Sequence, residues 1–424
     1  MTTNPIGHHL LPETAEIIED RLHIGGLDVI DIAEEFGTPV YVYDEEHLRL
    51  RCREAVEAFG DGVAYASKAF LSKAMAKLVH EEGMHIDVAT GGEMHIALAA
   101  GVPARRLILH GNNKSLLELG RALEVGVKRI VVDSFDEMDR IEMLVADGWP
   151  SASVLLRINP GIEAHTHEYL QTGVPDSKFG FPIADGIADR AIARAKESDA
   201  MDFRGIHAHI GSQVFNVDNF GKAIEALGPF VNGSGADEFS IGGGLGVAYV
   251  DHERADSITE WAEAVFGAID DAGITAKIHA EPGRSIAARA GITLYTVGTV
   301  KDLPGLRTFV SVDGGMSDNP RPSLYGSGYE AFLPRATNDE RPFPVRVVGM
   351  HCEAGDVLVW DADLPAGTQV GDILCTPVTG AYGHAMASNY NKTPRPPVVF
   401  VKDGQARLVF EREGHDDLLR HDIG

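Results

Sequence analysis

Three stretches that lie far apart in the chain carry residue types that could act together on one organic cofactor. Lys68 stands in Tyr65-Ala-Ser-Lys-Ala-Phe70, at the end of a short apolar run. More than a hundred and seventy residues later come Ser240-Ile-Gly-Gly-Gly-Leu-Gly246 and His279-Ala-Glu-Pro-Gly-Arg284. A lysine amine can bond an aldehyde as an imine. A glycine run lets backbone N–H groups approach a phosphate. A carboxylate facing a pyridine nitrogen keeps it protonated, so that the ring can act as an electron sink. Together these are the parts needed to hold pyridoxal 5'-phosphate, and they make an enzyme the leading expectation.

Within that set Lys68 is expected to carry the aldehyde. Its neighbours Ala69 and Phe70 suggest a partly desolvated amine, which loses its proton more readily. Glu281 is expected to face the ring nitrogen, and a salt bridge to Arg284 is the structural alternative. Gly242, Gly243, Gly244 and Gly246 are the phosphate candidates. The dinucleotide fingerprint is not met, because Val247 occupies the position that needs a final Gly or Ala. His207 and His209 lie two apart on a strand and share a face. Such a His-x-His pair also opens the ligand set of barrel metallohydrolases, and His165 with His167 forms a second one. In those hydrolases the pair tends to lie on the first strand; His207 and His209 are on a late strand, and no metal is expected.

These residues need a scaffold that brings strand ends together. Short β-rich runs recur at 63–66, 86–89, 107–109, 130–132, 154–158, 205–210, 238–241 and 277–280. Helix-patterned segments such as 73–80 and 115–123 fall between them. Eight βα units over about 250 residues predict a (β/α)8 TIM barrel over 38–289. After 290 the runs 293–300, 309–313, 345–349 and 397–401 have turns between them and little helix, which predicts an all-β, barrel-like domain to 424. Residues 1–37 are expected to pack on that β domain and join it to the barrel.

A length of 424 residues suits two domains. The net charge of -26, from 63 acidic and 37 basic residues, argues against nucleic-acid or anionic-membrane surfaces. Any anionic substrate must then be met by locally placed arginines. Cys52, Cys352 and Cys375 form no CxxC pattern and no disulfide framework, and the first residues read as no signal peptide, so a cytoplasmic enzyme is expected.

The ordered motifs resemble those of the alanine-racemase-like (fold type III) pyridoxal phosphate-dependent decarboxylases. The matching blocks are 65–70, 110–115, 163–168, 178–180, 209–213, 242–246, 281–284, 311–318, 324–326, 351–353 and 380–382. The resemblance implies a homodimer with shared active sites and decarboxylation of meso-2,6-diaminopimelate at its D-centre to L-lysine. Decarboxylation of ornithine, arginine or an amino-acid conjugate is the nearest alternative, and a zinc-dependent barrel hydrolase a more distant one. It further implies cofactor contacts from Lys68, His209 (stacked on the ring), Ser212, Gly243, Gly244, Glu281, Pro282, Gly283, Arg284 and Tyr382. Arg284, Arg321, Tyr325, Glu353 and Tyr382 are implied on the substrate, where a planar guanidinium suits a carboxylate. Cys352 is implied to return a proton to carbon from the partner subunit. The chain departs from the family at Ala354, where a serine hydroxyl is usual, and at Gly383-His384.

Overall fold

The computed structural model describes residues 5–161, 177–209 and 211–424. The chain forms two compact units. One comprises 51–247 and 255–285; the other comprises 1–50, 248–254 and 286–424.

The first unit is the barrel. Its strands are β1 (Ala64–Ala66), β2 (His85–Val88), β3 (Leu107–Leu109), β4 (Arg129–Val132), β5 (Ala152–Asn159), β6 (Met201–His207), β7 (Glu238–Ser240) and β8 (Lys277–His279). Each pairs in parallel with the next. The ring closes where Val63 bridges Ala280, with Ala64 N–H donating to Ala280 O at 2.9 Å. Strands this short and apolar are buried on both faces, by barrel filling inside and helices outside. Ala64, Ile108, Val131 and Leu155 form one buried cluster. Gly205 is dictated by packing: a Cβ there would lie 1.8 Å from the Glu238 carbonyl oxygen.

Five helices of the barrel unit begin on side-chain caps. Ser72, Thr90, Ser115, Ser134 and Ser257 each accept from a backbone N–H three residues on. Ser115 with Glu118 and Ser257 with Glu260 complete reciprocal boxes. This fixes where each helix starts and therefore the length of the loop at the site end of the barrel.

The second unit is built on a sheet in the order 357–364, 343–348, 307–312, 291–303, 40–44, 398–402, 405–410, with 373–376 also paired to 291–303. Before it run three short antiparallel strands, 16–18, 21–24 and 27–28, and the helix Val29–Phe36. The limits of the compact units depart from the boundaries expected at 37/38 and 289/290. Val40–Asp44 is a buried strand between 291–303 and 398–402, and the barrel unit starts at Arg51. The run Val-Tyr-Val-Tyr is as suited to a buried antiparallel sheet as to a barrel strand, so its pattern alone could not assign it.

Candidate functional site

Lys68 leaves the end of β1 on a single 3-10 turn, Ser67–Ala69. Its neighbours Ser67 and Ala69 are buried, but Lys68 itself is exposed. The partly desolvated amine expected from the sequence is therefore not what the fold provides. Flanking residues turn inward while the lysine stem carries its amine out over the strand end. Its charge is felt by Asp87, His110 and His209, which end β2, β3 and β6.

Glu281, just past β8, anchors the floor. Its Oε1 accepts from Ser240 Oγ at 2.6 Å and its Oε2 lies 3.0 Å from His207 Nε2. His110 Nε2 is 3.8 Å from Oε1, and the two imidazole rings meet edge-on at 5.1 Å. Burial pushes the Glu281 carboxyl up, but His207, His110 and the two hydrogen bonds together hold it well below the ordinary range. An ionised Glu281 can only accept, so His207 Nε2–H donates to it. Burial and the adjacent Glu281 charge push Asp87 well up, so Asp87 is the protonated member of the pair. The carboxylate that the sequence offered to Arg284 is thus taken by His207 and Ser240, while Arg284 Nη2 donates to Ser212 Oγ at 2.9 Å.

The glycine turn follows β7. A Cβ on Gly243 would stand 2.1 Å from the Glu281 carbonyl oxygen, and one on Gly244 2.2 Å from that of Gly211. Gly242 and Gly244 have φ of +69° and +121°. Only glycine allows the β6, β7 and β8 ends to approach this closely. Among the described residues the N–H groups of Gly243 and Gly244 have no acceptor. Gly283 packs likewise on β1, its would-be Cβ 2.9 Å from Ala66 O, and Pro282 O accepts from Ala66 N–H. His209 lies beside Gly242, and burial with the Lys68 charge holds its imidazole well below its usual range.

Pyridoxal phosphate fits this arrangement. Two unpaired backbone N–H groups beside Ser212 suit a phosphate, and an ionised carboxylate suits a ring nitrogen. Both Asp87 carboxylate oxygens and His110 Nε2 are buried without a hydrogen-bond partner. Asp87, His110 and Arg157 were not singled out by the sequence reading. Asp87 and Arg157 lie inside ordinary strand patterns, while His110 opens a quoted motif without a role. Arg157 is half-buried in the same electrostatic neighbourhood, its guanidinium 4.2 Å from the Phe179 ring centroid.

The barrel loops beneath are fixed by a buried ion pair. Lys114 Nζ donates to Gly111 O (2.7 Å), Val131 O (2.6 Å) and Glu137 Oε1 (2.6 Å). Glu137 Oε2 accepts from Asp133 N–H at 2.9 Å.

The second unit holds a separate cluster. Arg321, 3% exposed, opens the short helix Arg321–Tyr325. Its guanidinium lies 5.2, 5.5 and 5.6 Å from the ring centroids of Tyr249, Tyr325 and Tyr382. Its Nη2 donates to Ser327 Oγ at 3.0 Å, and its Nε has no partner. Burial acts against its charge, but the oxygens of Tyr249, Tyr329 and Tyr382 outweigh it and raise its pKa. Among the described residues no carboxylate lies within ion-pair distance of it. A buried guanidinium without a carboxylate partner has the chemistry to hold an anion.

Cys352, Glu353 and Ala354 are exposed on a loop pinned from below by buried Asp356, which accepts from His351 N–H and Met316 N–H. Ser323 Oγ, from the Arg321 helix, donates to Gly355 O at 2.8 Å. Burial drives His384, stacked on Phe410 at 4.5 Å, down to about 4. The motif 163–168, with His165 and His167, lies outside the described residues.

Comparison with known proteins agrees with this geometry. Residues 45–288 match the family model "Pyridoxal-dependent decarboxylase, pyridoxal binding domain". The chain is 44% identical over 420 residues to the diaminopimelate decarboxylase of Bacillus subtilis, covering 95% of each. It is 43% identical to that of Mycobacterium tuberculosis, covering 94% of each. A crystal structure of diaminopimelate decarboxylase from M. jannaschii in complex with L-lysine superposes with TM-score 0.90 at 32% identity, covering 97% of this chain and 98% of that one.

Proposed function

The chain belongs to the diaminopimelate decarboxylases of the pyridoxal-dependent decarboxylase family, and from that premise we propose that it decarboxylates meso-2,6-diaminopimelate at the D-centre to L-lysine and carbon dioxide, the last step of lysine biosynthesis. The observation that carries the chemistry is the ionised Glu281, held between Ser240 and His207 beside a glycine turn. Bound pyridoxal phosphate supplies an electron sink for the pair left when carbon dioxide departs.

The chain's own residues have distinct tasks in this reading. Lys68 would hold the cofactor through its amine. Glu281 keeps a proton on the ring nitrogen, and His207 and Ser240 fix its orientation. Gly243, Gly244 and Ser212 bind phosphate, with Arg284 aligning the Ser212 hydroxyl. Pro282 and Gly283 keep Glu281 at its height, and His209 covers one ring face. Tyr382 completes the cofactor contacts.

Arg321 takes a substrate carboxylate, with Tyr325 and Tyr382 walling the site. The buried guanidinium, with no carboxylate at ion-pair distance among the described residues and its Nε unpaired, supports a diacid over ornithine or arginine, which have no second carboxylate. Exposed Cys352 and Glu353 act from the partner subunit of a homodimer, Cys352 returning a proton to carbon and Glu353 meeting the distal ammonium. No described helix is long and apolar enough to cross a membrane, and a cytoplasmic enzyme is the reading that goes with this chemistry.

The test is direct. The purified chain with pyridoxal phosphate is given meso-diaminopimelate, ornithine or arginine, and lysine, putrescine or agmatine is quantified. Lysine from diaminopimelate alone supports the proposal; putrescine or agmatine formed faster than lysine refutes the substrate.

A further inference from the structure

We propose that the chain free of cofactor binds one divalent cation of the zinc class through His110, His207 and Glu281, at the ends of β3, β6 and β8. One ligand atom from each lies within 4.8 Å of the others. His207 Nε2 is 3.0 Å from Glu281 Oε2, and His110 Nε2 is 3.8 Å from Glu281 Oε1. A tetrahedral zinc centre with ligands at about 2.0–2.1 Å has edges of about 3.3–3.4 Å, which these two separations bracket. Small side-chain adjustments therefore suffice to seat a cation.

The ligand types select the metal. Two imidazoles and one carboxylate form the three-ligand set of open zinc sites, with water at the fourth position. Magnesium and calcium, which take oxygen ligands, are disfavoured. A second observation points the same way. Asp87 is 7% exposed, its Oδ1 lies 3.4 Å from His110 Nε2, and neither of its carboxylate oxygens has a hydrogen-bond partner. It places two unsatisfied oxygen atoms beside the site. Ser240, donating to Glu281 Oε1 at 2.6 Å, supplies the outer-shell bond that orients a carboxylate ligand. The set is not the His-x-His pair visible in the sequence. His207 joins a histidine from another strand end, and His209 is not among the ligands.

The cation and pyridoxal phosphate exclude one another, a consequence that rests on the functional reading of Glu281 as the ring-nitrogen partner. Zinc therefore opposes cofactor loading.

The experiment titrates the full-length chain, stripped of cofactor and metal, with Co(II), following its visible d–d bands and the bound metal per chain. The expected result is one Co(II) per chain with a low-symmetry, intense spectrum. His110→Ala should weaken it at least about tenfold, and saturating pyridoxal phosphate should abolish it. No saturable binding, a spectrum indifferent to His110→Ala, or Co(II) retained beside bound cofactor would each overturn the proposal. Should His110→Ala lose its circular dichroism, His110→Gln replaces it under the same criteria. A chain that never forms the lysine-linked cofactor band, yet holds Co(II) through these residues, would reject the functional reading and support the metal site.

Discussion

Removing the Lys114 charge tests how the barrel holds its site loops. Lys114 is 3% exposed, and its three hydrogen bonds of 2.6–2.7 Å use all three ammonium protons. Burial alone pulls its pKa down, and the Glu137 carboxylate opposes this. Lys114→Met keeps most of the volume, so the cavity contribution is small. What remains is Glu137, 1% exposed, with its Oε1 stripped of its ammonium partner and only the Asp133 N–H on Oε2. Breaking a buried pair from one side costs about 3–5 kcal/mol. With a urea m-value of about 3 kcal/mol/M, the barrel midpoint should fall by about 1–2 M. The double variant Lys114→Met/Glu137→Leu removes both charges and should recover much of that loss, leaving mainly the orphaned Asp133 N–H at about 1–3 kcal/mol. The assay is urea unfolding of both variants. A single-variant loss under about 1 kcal/mol, or a double variant no more stable than the single, would refute the claim that this pair is desolvated and mutually dependent.

Other expectations are as specific. Gly243→Ala forces a Cβ to within 2.1 Å of the Glu281 carbonyl oxygen, so the variant should fold but fail to retain pyridoxal phosphate through gel filtration. Arg321→Lys should cost about 2–4 kcal/mol in kcat/KM for diaminopimelate, or about 30- to 1000-fold, because an ammonium cannot copy the planar fork; near-normal kinetics would remove Arg321 from substrate binding. His85, His279 and His384 are held to about 4 in the folded chain, against 6.5 when free, each first by burial. The unfolded chain thus takes up these protons first, so their stabilising effect is full above pH 6.5 and is lost as pH falls toward 4. Asp318, pushed up to about 7 by burial, acts oppositely over the same window. His384→Phe should therefore lower the slope of stability against pH between 4 and 6.5 by about one proton, about 1.4 kcal/mol per pH unit, in pH-dependent urea unfolding. Cys352→Ala should slow turnover while the lysine-linked cofactor band stays intact; loss of that band would contradict the assigned role.

The barrel was legible because its strands are short, apolar and regularly spaced. Leu107–Leu109 coincides with the expected run, and the others agree within a few residues. The place of Lys68, Gly243, Gly244 and Glu281 at strand ends was legible because each directly follows a short apolar run. Asp87 and His110 were not, because their significance lies in neighbours from other strands that no local pattern reveals. The place of Val40–Asp44 was hidden for a related reason, since a buried strand states its burial but not its sheet. The exposure of Lys68 also ran against its apolar flanks, which pack inward and leave the amine outside.

Lys68 decides the central claim. The wild-type chain and Lys68→Ala should be loaded with pyridoxal phosphate, their visible absorbance recorded, and lysine release from meso-diaminopimelate measured. The wild type is expected to show the band of lysine-bound cofactor and to form lysine, and the variant to lose both while keeping its fold. A Lys68→Ala chain that retains the band, or a wild type that shows none, would contradict it.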